Sequence, residues 1–162
     1  MKKTISFIMI AALIFTLSAC GTNDNNKKTI LDISEMLDIE ISQESVIGKQ
    51  NDDNGFVSLE ITDTNTVDEI KSEWKELPLT ENLTALVYGL EDETSSIGPY
   101  ISEDGEALFP KVENGYYYFY DRHSESKDHF DDTNVLSRHS FNFVIAIFDT
   151  DTNRLYYSKF DT

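Results

Sequence analysis

Residues 141–148 read Phe-Asn-Phe-Val-Ile-Ala-Ile-Phe. Apart from Asn142, every side chain is apolar, so both faces of the strand these residues form are apolar. Such a strand has no face to offer to water. It must lie inside a sheet with cover on each side. Residues 149–153, Asp-Thr-Asp-Thr-Asn, then turn the chain, and 154–160 return as a last strand. The C-terminus is therefore predicted to be a hairpin at the centre of a sheet.

The remaining elements follow from periodicity and turn chemistry. Residues 56–62 alternate, with Val57, Leu59 and Ile61 on one face and Ser58, Glu60 and Thr62 on the other. Ahead of them, Val46 and Ile47 open a weak strand, and Asp52-Asp53-Asn54-Gly55 carries the Asn-Gly hairpin signal. Asp104-Gly105 is another turn. Asn114-Gly115 is read as joining a strand over 108–112 to one over 116–121, with Tyr116, Tyr118 and Tyr120 opposite Tyr117 and Phe119. Such aromatics are favoured in ordinary strands, so core packing is the reading given to that run.

Asp32 and Glu35 have capping-box spacing for a short helix through Leu37. Thr66 and Glu69 repeat it, with Val67, Ile70, Trp74 and Leu77 at helical spacing and Pro78 as the stop. Thr80 caps a third helix that buries Leu83, Leu86 and Val87 and ends at Gly89. Residues 91–96 and 122–138 are polar loops. The predicted class is α+β: a single domain with a mainly antiparallel sheet, a C-terminal hairpin, and one or two helices packed on one face, the Trp74 helix among them. No succession of βαβ units is present, which argues against a parallel nucleotide-binding sheet.

The N-terminus predicts a destination. Lys2 and Lys3 precede an apolar run over 5–17, which is short of the ~20 residues a membrane span needs. This is the layout of an export signal. Leu17-Ser18-Ala19-Cys20 closes it with a lipobox: a leucine and two small residues for the narrow cleft of a signal peptidase, then a cysteine whose thiol takes a diacylglyceryl group. Residues 1–19 are thus read as a lipoprotein signal peptide. Residues 20–29 are read as the lipidated Cys20 and a polar tether, and 30–162 as one extracytoplasmic domain. Two acyl chains hold stably where one holds marginally.

Removing the first nineteen of 162 residues leaves 143, enough for one domain. Cys20 is the single cysteine, so the exported domain has no disulfide and must rest on its hydrophobic core. Without Lys2 and Lys3 the formal net charge of −17 becomes −19. Such a surface repels nucleic acid and anionic headgroups, and it attracts cations and basic proteins or peptides.

Several segments together carry a resemblance. Residues 74–79 (Trp-Lys-Glu-Leu-Pro-Leu), 115–119 (Gly-Tyr-Tyr-Tyr-Phe), 121–124 (Asp-Arg-His-Ser) and 148–153 (Phe-Asp-Thr-Asp-Thr-Asn) resemble a family of small lipoproteins of Gram-positive bacteria. The resemblance implies an anchored, single-domain protein at the outer face of the cell membrane. It implies no activity and no catalytic residue.

Candidate chemistry is sparse. Asp149, Asp151 and Asn153 sit like the first half of an EF-hand loop, which supplies some of the 6–8 oxygens calcium takes. However, Arg154 stands where a glycine is needed and Phe160 where a bidentate glutamate is needed. A polar hairpin turn fits better. His123, His129 and His139 share one stretch with Asp131 and Asp132, ligand types suited to zinc, although no zinc spacing is met. His123, His129, Asp131 and Asp132 are the candidate metal set. Asp121-Arg122-His123-Ser124 puts triad residue types side by side, where strand neighbours point to opposite faces. No Gly-x-Ser-x-Gly elbow exists to present a nucleophile.

The reading is a membrane-anchored binding or accessory domain without catalysis. Its only prosthetic group is the diacylglyceryl group on Cys20, and a basic protein or peptide is the fitting partner. The alternative is a metal-binding protein or metal-dependent enzyme built on the 123–139 loop with a divalent ion.

Overall fold

A computed structural model describes residues 23–42, 49–51, 55–91, 96–124 and 128–162. Its centre is a six-stranded, wholly antiparallel sheet in the order β1-β2-β10-β9-β8-β3. The strands are β1 (Lys49–Asn51), β2 (Phe56–Glu60), β3 (Lys75–Glu76), β8 (Gly115–Asp121), β9 (Asn142–Asp149) and β10 (Arg154–Asp161). The C-terminal hairpin β9–β10 lies in the middle, as the apolar run over 141–148 demands. Ala146 faces Tyr118 on one side and Tyr157 on the other.

Alternation along β9 feeds two cores. Val144, Ala146 and Phe148 join one, while Phe143, Ile145 and Ile147 join the other. Two helices cover the first face. α1 (Asn23–Leu37) contributes Ile30, Ile33 and Leu37, and α2 (Thr64–Glu73) contributes Ile70 with Trp74 just after it. α3 (Glu81–Tyr88) covers the second face with Leu83, Leu86 and Val87, helped by Ile101, Phe109 and Val135. Phe119, Phe143 and Phe148 are fully buried. Each such burial is worth about 1.5–3 kcal/mol relative to exposure. Short ladders, β4 (Leu90–Glu91) with β5 (Ser96–Ile97) and β6 (Ser102–Glu103) with β7 (Glu106–Ala107), decorate the chain between α3 and β8. Asp104 and Gly105, both at positive φ, turn the second ladder as expected.

Five local expectations are corrected. The stretch read as a tether is helical from Asn23, and Asp32 and Glu35 lie within α1 rather than at its start. The Ile30–Ile33–Leu37 stripe packs on the sheet, and tertiary packing carries a helix through residues of weak propensity. The cap of α2 is Asp63, whose carboxylate accepts the Thr66 N–H at 3.2 Å, and Thr66 is buried within the first turn. α2 also stops before Pro78. Trp74 is already extended, and Lys75 and Glu76 pair with Tyr117 and Tyr116 at the sheet edge. Leu77 thereby crosses to the second core, off the Trp74 stripe.

No strand forms over 108–112, where Pro110 has no N–H for a ladder. Finally, Gly115 is the first residue of β8 and pairs with Asp149 instead of turning a hairpin. The predicted strand at Val46 and Ile47 and most of the 52–55 turn lie outside the described residues. β1 and β2 do pair antiparallel across that turn, with Asn51 opposite Phe56.

Two substitutions test this packing. Trp74 is 6% exposed and its ring lies 5.6 Å from that of Tyr118. Trp74→Ala is expected to cost ~3–5 kcal/mol in denaturant unfolding, and a loss under ~1 kcal/mol would place the indole outside the core. A Cβ on Gly115 would lie 2.0 Å from the Phe148 carbonyl oxygen. Gly115→Ala must therefore push β8 off β9, with an expected loss of ~1–3 kcal/mol or more, read from the same unfolding curves.

Candidate functional site

Where α1 and α2 end, over β8, the surface opens into a cleft of about 610 Å³. That volume is in the range of small-ligand sites. Leu37 and Asp38 at the end of α1, Glu73 and Trp74 at the end of α2, and the 128–130 segment form its walls. Asp38 sits in the left-handed region at φ 52°, where it terminates α1. Glu69 and Glu73 lie four residues apart on α2 and share a face. Tyr118 projects up from β8 between the two helices.

The electrostatics of this cleft run one way. A helix C-terminus carries roughly half a negative charge, and two of them meet here. Carboxylates compound that charge: Asp38 follows one helix end, and Glu73 is the last residue of the other. Among the described residues, Asp38, Glu69 and Glu73 form no ion pair. The salt bridges are Arg122–Asp161, Arg138–Asp121 and Arg154–Glu60. Glu69 accepts the Glu40 N–H at 3.1 Å, which fixes its carboxylate against the chain leaving α1. The floor is aromatic, and Phe130 holds the Lys75 ammonium 4.7 Å from its ring centre. The Trp74 Nε1–H is buried without a hydrogen-bond partner.

Tyr118 and His129 are linked, with Oη 2.6 Å from Nδ1. Burial, reinforced by the Asp38 charge, pushes the Tyr118 phenol up to about 12. The phenol therefore keeps its proton, and which partner donates across this contact follows the imidazole tautomer. The imidazole also packs on Tyr120, 4.5 Å between ring centres.

The four candidate metal ligands do not share a centre. His129 lines the cleft, and its Nδ1 is engaged by Tyr118. His123 is exposed, and its backbone N–H donates to Asp121 Oδ1 at 3.0 Å. Asp131 Oδ1 accepts the Thr133 N–H at 3.2 Å. The Asp132 carboxylate accepts from the Thr80 hydroxyl and so secures the cap of α3. No group of three His, Cys, Asp or Glu side chains positioned for a metal occurs among the described residues. Asp121 is likewise committed: it is buried and paired with Arg138, which ties together the two ends of the 122–138 loop. The 149–153 segment is a polar turn, with Asp149 accepting from Asp151 N at 2.8 Å and from the Thr152 hydroxyl at 2.7 Å. Cys20 lies outside the described residues.

Sequence reasoning missed the cleft because Asp38, Glu69, Glu73 and the 128–130 segment are far apart in the chain. The one local signal is the like-charge pair Glu69 and Glu73, four residues apart beside the single tryptophan. Comparison with protein-family models, curated proteins and solved structures finds no match to this chain. No described helix is long and apolar enough to cross a membrane.

Burial of phenols around the first core has a pH signature. Tyr118 and Tyr157 are each pushed up to about 12, mainly by burial. In the unfolded chain a tyrosine titrates near 10. The stability these phenols contribute is fully present below that value and is lost as pH rises through the folded value. Melting temperature is expected to fall between pH 10 and 12, with part of the phenolate absorbance appearing only as the fold is lost. Titration of every tyrosine near pH 10 with the fold intact would contradict it.

Proposed function

We propose that this protein is a membrane-anchored extracytoplasmic lipoprotein, lipidated on Cys20, whose domain acts by binding and catalyses no reaction. The lipobox after a charged and apolar start supports the anchoring. The open cleft at the ends of α1 and α2 carries the binding part of the reading. It offers charge and aromatic surface to a ligand. Of the polar groups that resembled catalytic or metal sets, Asp132 is engaged in capping α3 and Asp121 in closing the loop with Arg138.

The start of α1 at Asn23 tightens the anchor. Three residue steps from Cys20 extend at most ~10 Å, so the domain hugs the bilayer. Cys20→Ser is expected to abolish lipid labelling, alter processing and release the protein from membrane fractions. Unchanged processing together with equal membrane retention would overturn the anchoring. Zinc or another divalent ion held stoichiometrically by chelator-free protein would count against the binding reading and for a metal-dependent one.

A further inference from the structure

Resting on the proposed lipidation of Cys20, we infer that the first half of α1 is a membrane-contact face, with Lys27 and Lys28 on anionic lipid headgroups and Leu31 dipping to the boundary of the acyl chains. α1 turns Ile30, Ile33 and Leu37 into the core, which leaves Lys27, Lys28, Leu31, Asp32, Glu35 and Asp38 exposed. Leu31 lies four residues after Lys27 and three after Lys28, so these three form one patch of that face. At 52% exposure, Leu31 is the most open large apolar side chain among the described residues. Lys27-Lys28 is the one adjacent pair of basic residues after Cys20, and neither lysine forms an ion pair among the described residues.

Charge along the helix changes sign at Leu31. Between Cys20 and Leu31 the chain carries two lysines against the single carboxylate of Asp24. Beyond it come exposed Asp32, Glu35 and Asp38, with Glu40 and Glu69 across the hollow that Leu31 borders. An anionic surface draws in the first part and pushes off the second, so α1 meets the lipid at an incline with its start lowest. Lysine stems reach along an apolar surface while their ammonium groups stay with the phosphates, which suits a leucine flanked by two lysines. The occupant follows from where the chain leads. α1 begins three residues after Cys20, a reach of ~10 Å, and Lys27 lies only four helical residues, ~6 Å, further on. The bilayer is therefore already beside this patch. One leucine and two lysines fall far short of the ~1,200 Å² that a stable interface with another protein or a second copy needs.

The full-length protein would be reconstituted into vesicles of phosphatidylglycerol and phosphatidylcholine in equal parts, brominated near the top of the acyl chains to quench indole emission. Intact mass first reports the lipid on Cys20. Leu31→Trp adds an indole at the proposed face, and Glu106→Trp adds one on the exposed β6–β7 turn beside the other core. Each is read against the unsubstituted protein, whose single tryptophan, Trp74, is buried. The added emission of Leu31→Trp is expected to be quenched and that of Glu106→Trp to survive. Removing each lysine charge should lower the ratio of docked to undocked protein about five-fold, so Lys27→Gln with Lys28→Gln should lose most of the quenching at position 31.

Unquenched Leu31→Trp emission in protein whose mass carries the lipid would overturn the contact face and leave the anchoring in place. Equal quenching of Leu31→Trp and Glu106→Trp would mean a domain that tumbles on its tether, and would overturn the face as well. Full quenching after loss of both lysine charges would show that tether length alone holds Leu31 at the lipid, and would overturn the headgroup contact. A mass without the lipid would overturn the anchoring itself, and the face with it.

Discussion

The structure depends on β9 being apolar on both faces. A strand of that kind is stable only if the sheet on either side of it and the layers above and below it exclude water. β8 and β10 supply the lateral pairing along its length. The layers come from different parts of the chain: α1 and α2 close one face, and α3 with the segments around Ile101 and Phe109 closes the other. With no second cysteine to cross-link it, the fold rests on these two cores. Gly115 shows how tight the arrangement is, because β8 meets β9 where even a methyl group would strike the Phe148 carbonyl.

Covering the first face with two helices has an electrostatic consequence. Both helices end over β8, so both C-terminal ends lie at one place; α1 has no basic residue in its last turn, and the Lys71 of α2 lines a separate hollow with Val67 and Asp68, which leaves Asp38 and Glu73 at the cleft. The 122–138 loop adds the third wall. It is long, but it is pinned at its ends by the Asp121–Arg138 pair and in its middle by Asp132 on Thr80 and by His129 on Tyr118. The His129 imidazole and the Asp132 carboxylate, which resemble metal ligands by residue type, thus hold this loop against β8 and against the start of α3. The cleft is the gap left between the 128–130 segment and two helix ends.

Much of the fold was legible because its signals are local. The β9 run, the alternation in β2, the caps at Thr80 and Gly89 and the two faces of β8 each occupy a few consecutive residues. The misreadings have a common cause in tertiary contacts that outweigh local preference. α1 begins in Asn- and Lys-rich sequence because Ile30, Ile33 and Leu37 pack on the sheet further along. Leu77 leaves the helical stripe because the edge of β8 is open to Lys75 and Glu76. Asp63 and Thr66 both have capping side chains, and the buried one is the loser, since Thr66 gives its hydroxyl to the Glu40 carbonyl at 2.6 Å. Pro110 was a signal available in sequence and argues by itself against the strand over 108–112.

The cleft was illegible for a deeper reason: it is a property of helix ends meeting in space, and its walls come from the separate stretches 37–38, 69–74 and 128–130. Its placement also bears on the anchor. On the proposed lipidation of Cys20, the anchor would connect to the domain through α1, which runs from Asn23 to the cleft at Leu37 and Asp38. A fifteen-residue helix at 1.5 Å per residue spans ~22 Å. Exposed Lys27 and Lys28 lie toward the start of α1, and the cleft carboxylates lie at its other end. An anionic surface attracts the first and repels the second, and at the ~8 Å screening length of physiological salt the distant end is largely relieved of that repulsion. On the proposed anchoring, the same helix that buries Ile30, Ile33 and Leu37 in the core would also turn the acidic cleft away from the lipid and toward solution.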